Sequence, residues 1–344
     1  MDEQNPPPRS SMSPSIGSSA GPLIAPSIAR SIAPSIANDQ VICSLFEGDF
    51  HLGVAALINS IVRAGFKGLF WIGCRGVLPP WTQPLKRRDD GLFEIGEALL
   101  GFETIEGSRH FGQFKPEFLS RTIDQGIARR YVWYFDPDIT VRCAWSFFEM
   151  WVRHGVCICQ EIIMGTMPSR HPIRCEWMRM AREAGWGEPL REQERYYNSG
   201  FVGLDIANRR FLDRWKAAVR LANDNGVAPG QFQKGGRHQV FFTVDQDTLN
   251  IATLYADVQF STIGPEGMGF VSGGFTMYHS VGKVKAWRKK FLRSLLKGVP
   301  PSSGDKHFIA CACGPLRPYS NLALRSLRLR AGVAAFLGRF YRRA

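Results

Sequence analysis

Tyr131-Val-Trp-Tyr-Phe-Asp-Pro-Asp138 is the stretch on which the reading of this chain turns. Five consecutive β-branched or aromatic residues have the strong propensity of a β-strand. The run stops at Asp136-Pro137-Asp138, where proline ends strand pairing and two carboxylates stand two residues apart. Open α/β sheets bind ligands at the carboxyl ends of their strands. Two carboxylates there can share a hard divalent cation, Mg2+ or Mn2+, which can also bridge the phosphates of a nucleotide. Alone the motif is weak, because Asp-x-Asp is common in loops and Pro137 can simply mark a turn.

Upstream, Val41 to Phe46 reads as a buried strand running into Glu47-Gly48-Asp49. Residues 51–63 carry apolar side chains at 54, 57, 58, 61 and 62, the spacing of a helix with one buried face. Gly68 to Gly73 is a second strand, so the chain opens as strand, helix, strand. Downstream, helices are expected over 114–129, 144–154, 174–184, 208–223, 245–255 and 286–296, with a strand over 156–163 and a turn-rich stretch from Tyr196 to Asp205. The alternation predicts a mostly parallel sheet flanked by helices.

Three further clusters carry chemistry. His279-Ser-Val-Gly-Lys-Val-Lys285-Ala-Trp287 offers an imidazole for a metal shell, a glycine that lets backbone approach phosphate, and a lysine to neutralise it. Asn198-Ser-Gly200 and Asp245-Gln-Asp-Thr-Leu-Asn250 place short polar groups where a sugar could be held, although the first is also a good turn and Asp245 a good helix cap.

Taken in order, these four motifs resemble glycosyltransferase family 8, hexosyltransferases of the GT-A fold, over roughly residues 41–290. The resemblance implies that Asp136, Asp138 and His279 are Mn2+ (or Mg2+) ligands. It implies that Gly282 and Lys285 bind diphosphate, and that Asn198, Asp245 and Gln246 hold the transferred sugar, with Gln246 near the reacting carbon. Glu47 would meet the base or ribose, Phe50 would stack on the base, and Lys115, in Phe-Lys-Pro, would be a basic residue near the donor. The implied reaction moves a hexose from a nucleotide-diphosphate sugar, UDP-linked by resemblance, to a hydroxyl of a glycan or lipid-linked acceptor with retention of configuration. The chain departs from the family at Ala286, where proline is usual, and at Glu47-Gly48-Asp49, where the pocket is usually richer in aspartate.

Composition narrows the alternatives. The chain has 344 residues and a formal net charge of +13. Residues 283–344 hold fifteen Lys and Arg against one acid, Asp305, so this segment nets +14 and the rest is near neutral. A basic patch invites anionic lipid, nucleic acid or phosphates. No zinc spacing or RNP-type motif accompanies it, and no nucleic-acid partner is expected. A sugar-phosphate nucleotidyltransferase would want a basic phosphate loop after the first strand, and Ser44 to Phe50 has no basic residue. Residues 1–40, with repeats such as Ala25-Pro-Ser-Ile-Ala29, read as a disordered leader; 41–297 as the catalytic domain; 298–344 as a linker and basic amphipathic tail. From Leu316 onward one helix is expected, with arginines 317, 325, 328, 339, 342 and 343 opposite Leu322, Leu329, Val333, Leu337 and Phe340. Such a tail would either lie on an anionic membrane or dock on the body. With no basic leader after Met1, no long apolar run and no zinc-like cysteine spacing, the expected location is cytoplasmic with reduced thiols, peripheral on the inner membrane face if the tail binds lipid.

Overall fold

The computed structural model describes residues 36–340 apart from 163, 234 and 283. Most of the expected leader therefore lies outside the described residues, although Asn38 to Gln40 already belong to the first strand. In chain order the elements are β1 (Asn38–Glu47), α1 (His51–Arg63), β2 (Leu69–Arg75), β3 (Phe93–Ile95), β4 (Ala98–Thr104), α2 (Phe111–Asp124), β5 (Ala128–Phe135), β6 (Ile139–Val141) and α3 (Trp145–Trp151). There follow β7 (Val156–Gln160), α4 (Pro172–Glu183), β8 (Tyr197–Asp205), α5 (Arg210–Asp224), α6 (Val244–Tyr255), β9 (Phe260–Ile263), β10 (Met277–His279), α7 (Phe291–Leu295), α8 (Ser303–Cys311) and α9 (Asn321–Leu337).

The main sheet has eight strands in the order β3-β4-β2-β1-β5-β8-β7-β9, and β6 pairs with β10 in a separate ribbon. It is mixed. Strands β4, β2, β1 and β5 run parallel, but β8 lies antiparallel between β5 and β7. The central strands are buried on both faces, which is why they read as unbroken apolar runs. Tyr131, Trp133 and Phe135 face one core with α1 and α3. Val132 and Tyr134 face the other, with α2, α5 and α6.

Two expectations are corrected. Residues 197–205 form a central strand, not a turn-rich loop. Its glycines serve close packing: a Cβ on Gly203 would sit 2.5 Å from Trp133 Cδ1, and one on Gly200 2.5 Å from His279 Cε1. The basic helix expected over 286–296 is a single 3-10 turn (Ala286–Arg288) followed by the short α7. Lys289 breaks it with extended backbone, and its ammonium reaches both oxygens of the buried Asp305 carboxylate at 2.8 Å.

The segment after Pro300 packs onto the body. Phe308, Ile309, Cys311, Leu327, Ala331 and Ala334 share a core with Ala56 of α1 and with Phe291 and Leu295 of α7. Asn59, buried on α1, holds the chain reversal between α8 and α9. Its amide donates to the carbonyls of Cys311 (3.0 Å) and Leu316 (2.9 Å), and its Oδ1 accepts from Leu316 N (2.9 Å). The tail helix starts at Asn321, capped by Ser320, so Arg317 precedes it, and Arg342 and Arg343 lie outside the described residues. All eight cysteines are free; Cys43 and Cys74 are buried, whereas Cys143 is half-buried. No described helix is long and apolar enough to cross a membrane.

Two predictions follow from the docked segment. Asn59→Ala strips partners from two buried carbonyls and one amide and should cost about 3 kcal/mol of unfolding free energy, read by urea denaturation. His307 on α8 shares a hydrogen bond with Thr140 (2.8 Å), and burial, reinforced by Arg142 and Arg63, pushes its imidazole down to about 4. Its folded pKa thus lies below the unfolded value, so this contribution to stability is complete above about pH 6.5 and is lost as pH falls toward 4. Thermal unfolding across that window should show the decline, and His307→Gln should flatten it.

Candidate functional site

The site forms where β5 ends. Asp136 N donates to Gly200 O (2.7 Å) and Ile139 N to Asp136 O (3.0 Å), which fixes the Asp-Pro-Asp turn between β8 and β6. Helix α1 packs flush beneath it: a Cβ on Gly53 would fall 2.2 Å from Pro137 O. The ribbon supplies the third member, because antiparallel pairing sets His279 opposite Ile139. Imidazole Nε2 lies 3.2 Å from Asp138 Oδ1 and 3.9 Å from Asp136 Oδ2. The ligand atoms of all three residues fall within 4.8 Å of one another.

This donor set fits a hard or borderline divalent cation, two carboxylate oxygens and one imidazole nitrogen. Gly200 keeps the space open: its missing Cβ would lie 2.5 Å from His279 Cε1, 2.8 Å from Asn198 Oδ1 and 3.0 Å from Asp136 Oδ2. Asp138 is buried. Burial alone would raise its pKa, but His279 and Lys285 outweigh that and hold it below the usual carboxylate range. Lys285 Nζ approaches Asp138 Oδ2 at 2.6 Å.

A second charged cluster adjoins the first. Lys115, from α2, is 3% exposed and lies 2.9 Å from Asp136 Oδ1 and 2.8 Å from Asp245 Oδ2, and it donates to Ser199 O at 3.1 Å. Burial alone would lower the Lys115 pKa; the two carboxylates more than offset it and hold the ammonium above its ordinary value. Asp245 sits in the first turn of α6, where the helix dipole favours an anion, and accepts from Ser199 Oγ at 2.7 Å. Its other carboxylate oxygen is buried without a partner. Gln246 Oε1 accepts from Asn198 Nδ2 at 2.5 Å. Asn250 pins α6 to β8 through Tyr197 N and O, both at 2.8 Å.

Asp136, Asp138, His279, Lys115, Lys285, Asn198, Asp245 and Gln246 thus converge. Gly282 has φ of +120° and open space where a side chain would be, as a glycine required for its backbone conformation does. Glu47 and Phe50 have other partners. Glu47 pairs with Arg75 at 2.6 Å. The Phe50 ring packs edge-on against Trp287, centroids 5.2 Å apart, beneath the guanidinium of Arg288, which is paired with Asp49.

Glu161 escaped the sequence reading. It lies at the carboxyl end of β7, buried, with Oε2 accepting from Asn198 Nδ2 at 2.7 Å. It also lines a cavity of about 450 Å³ with Gln160, Thr166 and His171. The available signal was a lone acid directly following the apolar strand 156–160, the same pattern that exposed Asp136.

No protein-family model and no curated protein matches the sequence. Among solved structures the chain is similar to the galactosyltransferase LgtC in complex with donor and acceptor sugar analogs, at 13% identity and a TM-score of 0.48, covering 83% of this chain and 99% of that one. It is also similar to an active-site mutant of LgtC, at 13% identity and a TM-score of 0.47 over 82% and 98% of the two chains. The apo structure of the bifunctional glycosyltransferase WbbM matches at 13% identity and a TM-score of 0.48, covering 85% of this chain and 52% of that one.

Proposed function

We propose that this protein is a GT-A glycosyltransferase that moves a hexose from a nucleotide-diphosphate sugar, a UDP-sugar by the family resemblance, to a hydroxyl acceptor with retention of configuration. The observation that carries the reading is the convergence, at one strand end, of an Asp-Asp-His cation site with a buried Lys-Asp-Asn-Gln cluster. The first suits a diphosphate and the second a polyhydroxylated ring, and the two share Asp136 through Lys115.

Asp136, Asp138 and His279 would hold Mn2+ or Mg2+, which when bound supplies charge neutralisation for a departing diphosphate. Lys285 adds a cation beside Asp138, and Gly282 leaves backbone accessible to phosphate oxygens. Asp245, with a free buried oxygen, and Asn198 are the hydrogen-bonding groups for the transferred sugar, and their shared neighbour Gln246 faces the reacting carbon. Lys115 acts through its neighbours, fixing the Asp136 and Asp245 carboxylates at one distance. Glu161 borders the cavity beside Asn198, a position from which a glycan or lipid-linked acceptor hydroxyl could be held.

A donor-hydrolysis screen over nucleotide sugars with Mn2+ tests the reading. Asp138→Asn and His279→Ala should each weaken Mn2+ binding, measured by calorimetry, by at least about tenfold and depress hydrolysis further, with unfolding temperature little changed. Wild-type affinity and turnover in the double variant would refute the metal assignment.

Lys285→Ala should weaken binding of UDP with Mn2+ by about tenfold, as loss of one charge-assisted contact does. Lys290→Ala, in the same basic stretch, should leave it unchanged. Lys289 is no control, since its removal leaves the Asp305 carboxylate buried and unpaired. Equal effects at 285 and 290 would make the segment merely a charged surface.

A further inference from the structure

Helix α9 is apolar on two opposite faces. Leu327, Ala331 and Ala334 are buried against α7, α8 and α1, and Leu324 is buried on the same side. At 100° per residue, Leu322, Leu329, Val333 and Phe336 fall within an arc of about 60°, nearly diametrically opposite the docked face. These four are exposed, Leu322 by 78% and Leu329 by 68%. Phe340 extends the stripe, its ring 5.6 Å from that of Phe336 and 74% exposed. Arg325, Arg328 and Arg339 border the stripe on one side and Arg330 on the other, all exposed.

Docking on the body accounts for the first face and leaves the second unexplained, since a helix that only covers a core presents polar residues outward. A continuous apolar stripe left in water is the mark of an interaction surface. We propose that the outer face of α9 seats this protein on an anionic lipid surface while its inner face stays docked on the body. Charge chooses the occupant. Residues 283–344 contain one acid, Asp305, which is buried and paired with Lys289, so no acid of this segment offsets the arginines that border the stripe. Two copies meeting face to face would bring those arginines together without a counter-charge. A nucleic acid would engage the arginines but has no use for the leucines and phenylalanines between them. An anionic bilayer satisfies both, with apolar side chains in the headgroup boundary and guanidinium groups on phosphate. The inference stands apart from the transfer reaction and does not depend on it.

The test is sedimentation of the full chain with vesicles of phosphatidylcholine alone or with 30% phosphatidylserine, about 30% being enough to give a strongly negative surface. The wild type should bind the anionic vesicles and release as salt rises. Leu329→Ser, Val333→Ser and Phe336→Ser combined change only exposed positions; they should lower binding at least about tenfold while the unfolding temperature and Mn2+ affinity stay as in the wild type. Arg325→Glu with Arg328→Glu should also weaken it. Three results would overturn the proposal. In one, the wild type ignores anionic vesicles at low salt. In another, the triple serine variant binds them as the wild type does, which leaves a polyanion site for phosphate or nucleic acid. In the third, the wild type is a dimer that the triple variant dissolves, which assigns the stripe to a second copy.

Discussion

One buried ammonium organises the centre of this molecule. Lys115 is the only point at which helix α2, the Asp-Pro-Asp turn after β5, strand β8 and the first turn of α6 are joined by charge among the described residues. A lysine so enclosed is costly to desolvate, and it persists only because two carboxylates and a backbone carbonyl surround it. The arrangement works in both directions. Without Lys115, the Asp136 and Asp245 carboxylates would lose the cation that lies 2.9 and 2.8 Å from them. With it, each carboxylate is held in place, Asp136 on the side of Asp138 and His279 and Asp245 beside Ser199. The geometry of the candidate site therefore depends on the residue that joins its two halves.

Small residues set the complementary constraint. Gly53 lets α1 approach the Asp-Pro-Asp turn, and Gly200 leaves open the volume between Asp136, His279 and Asn198. The charged groups can meet only because no Cβ stands between them. Close packing around a polar centre is intolerant of one extra carbon, as it is in an apolar core.

The C-terminal segment belongs to the same design. His279 reaches Asp138 through the β6–β10 ribbon, and α8 lies on that ribbon, with His307 on Thr140 and its ring 5.3 Å from that of Tyr278. Asn59 in turn locks the segment to α1. The basic end of the chain thus supports His279 from behind while α9 turns its outer face to the surroundings.

The sequence by itself determined what is local. Periodicity and propensity gave β1, α1, β2 and β5 to within a few residues, because an apolar strand or a one-sided helix writes its burial into its own spacing. Motif order brought out Asp136, Asp138, His279, Asn198, Asp245, Gln246 and Lys285, and the structure gathers all seven. Tertiary structure alone decided what depends on partners distant in sequence. Asn198-Ser-Gly200 reads as a turn in isolation, and becomes the start of a strand only because β7 pairs with it at Asn198 and β5 pairs with the residues that follow, 201–205. Lys289 leaves its helix because a buried carboxylate sixteen residues away claims it. Glu161 and the centrality of Lys115 could not be read from spacing, since their meaning lies in burial and in distances across 37 to 130 residues of chain. The docked face of α9 was misread as well: spacing put Leu322, Leu329, Val333, Leu337 and Phe340 on its apolar side, whereas Leu324, Leu327, Ala331 and Ala334 are the ones buried, because only the shape of the body decides between them.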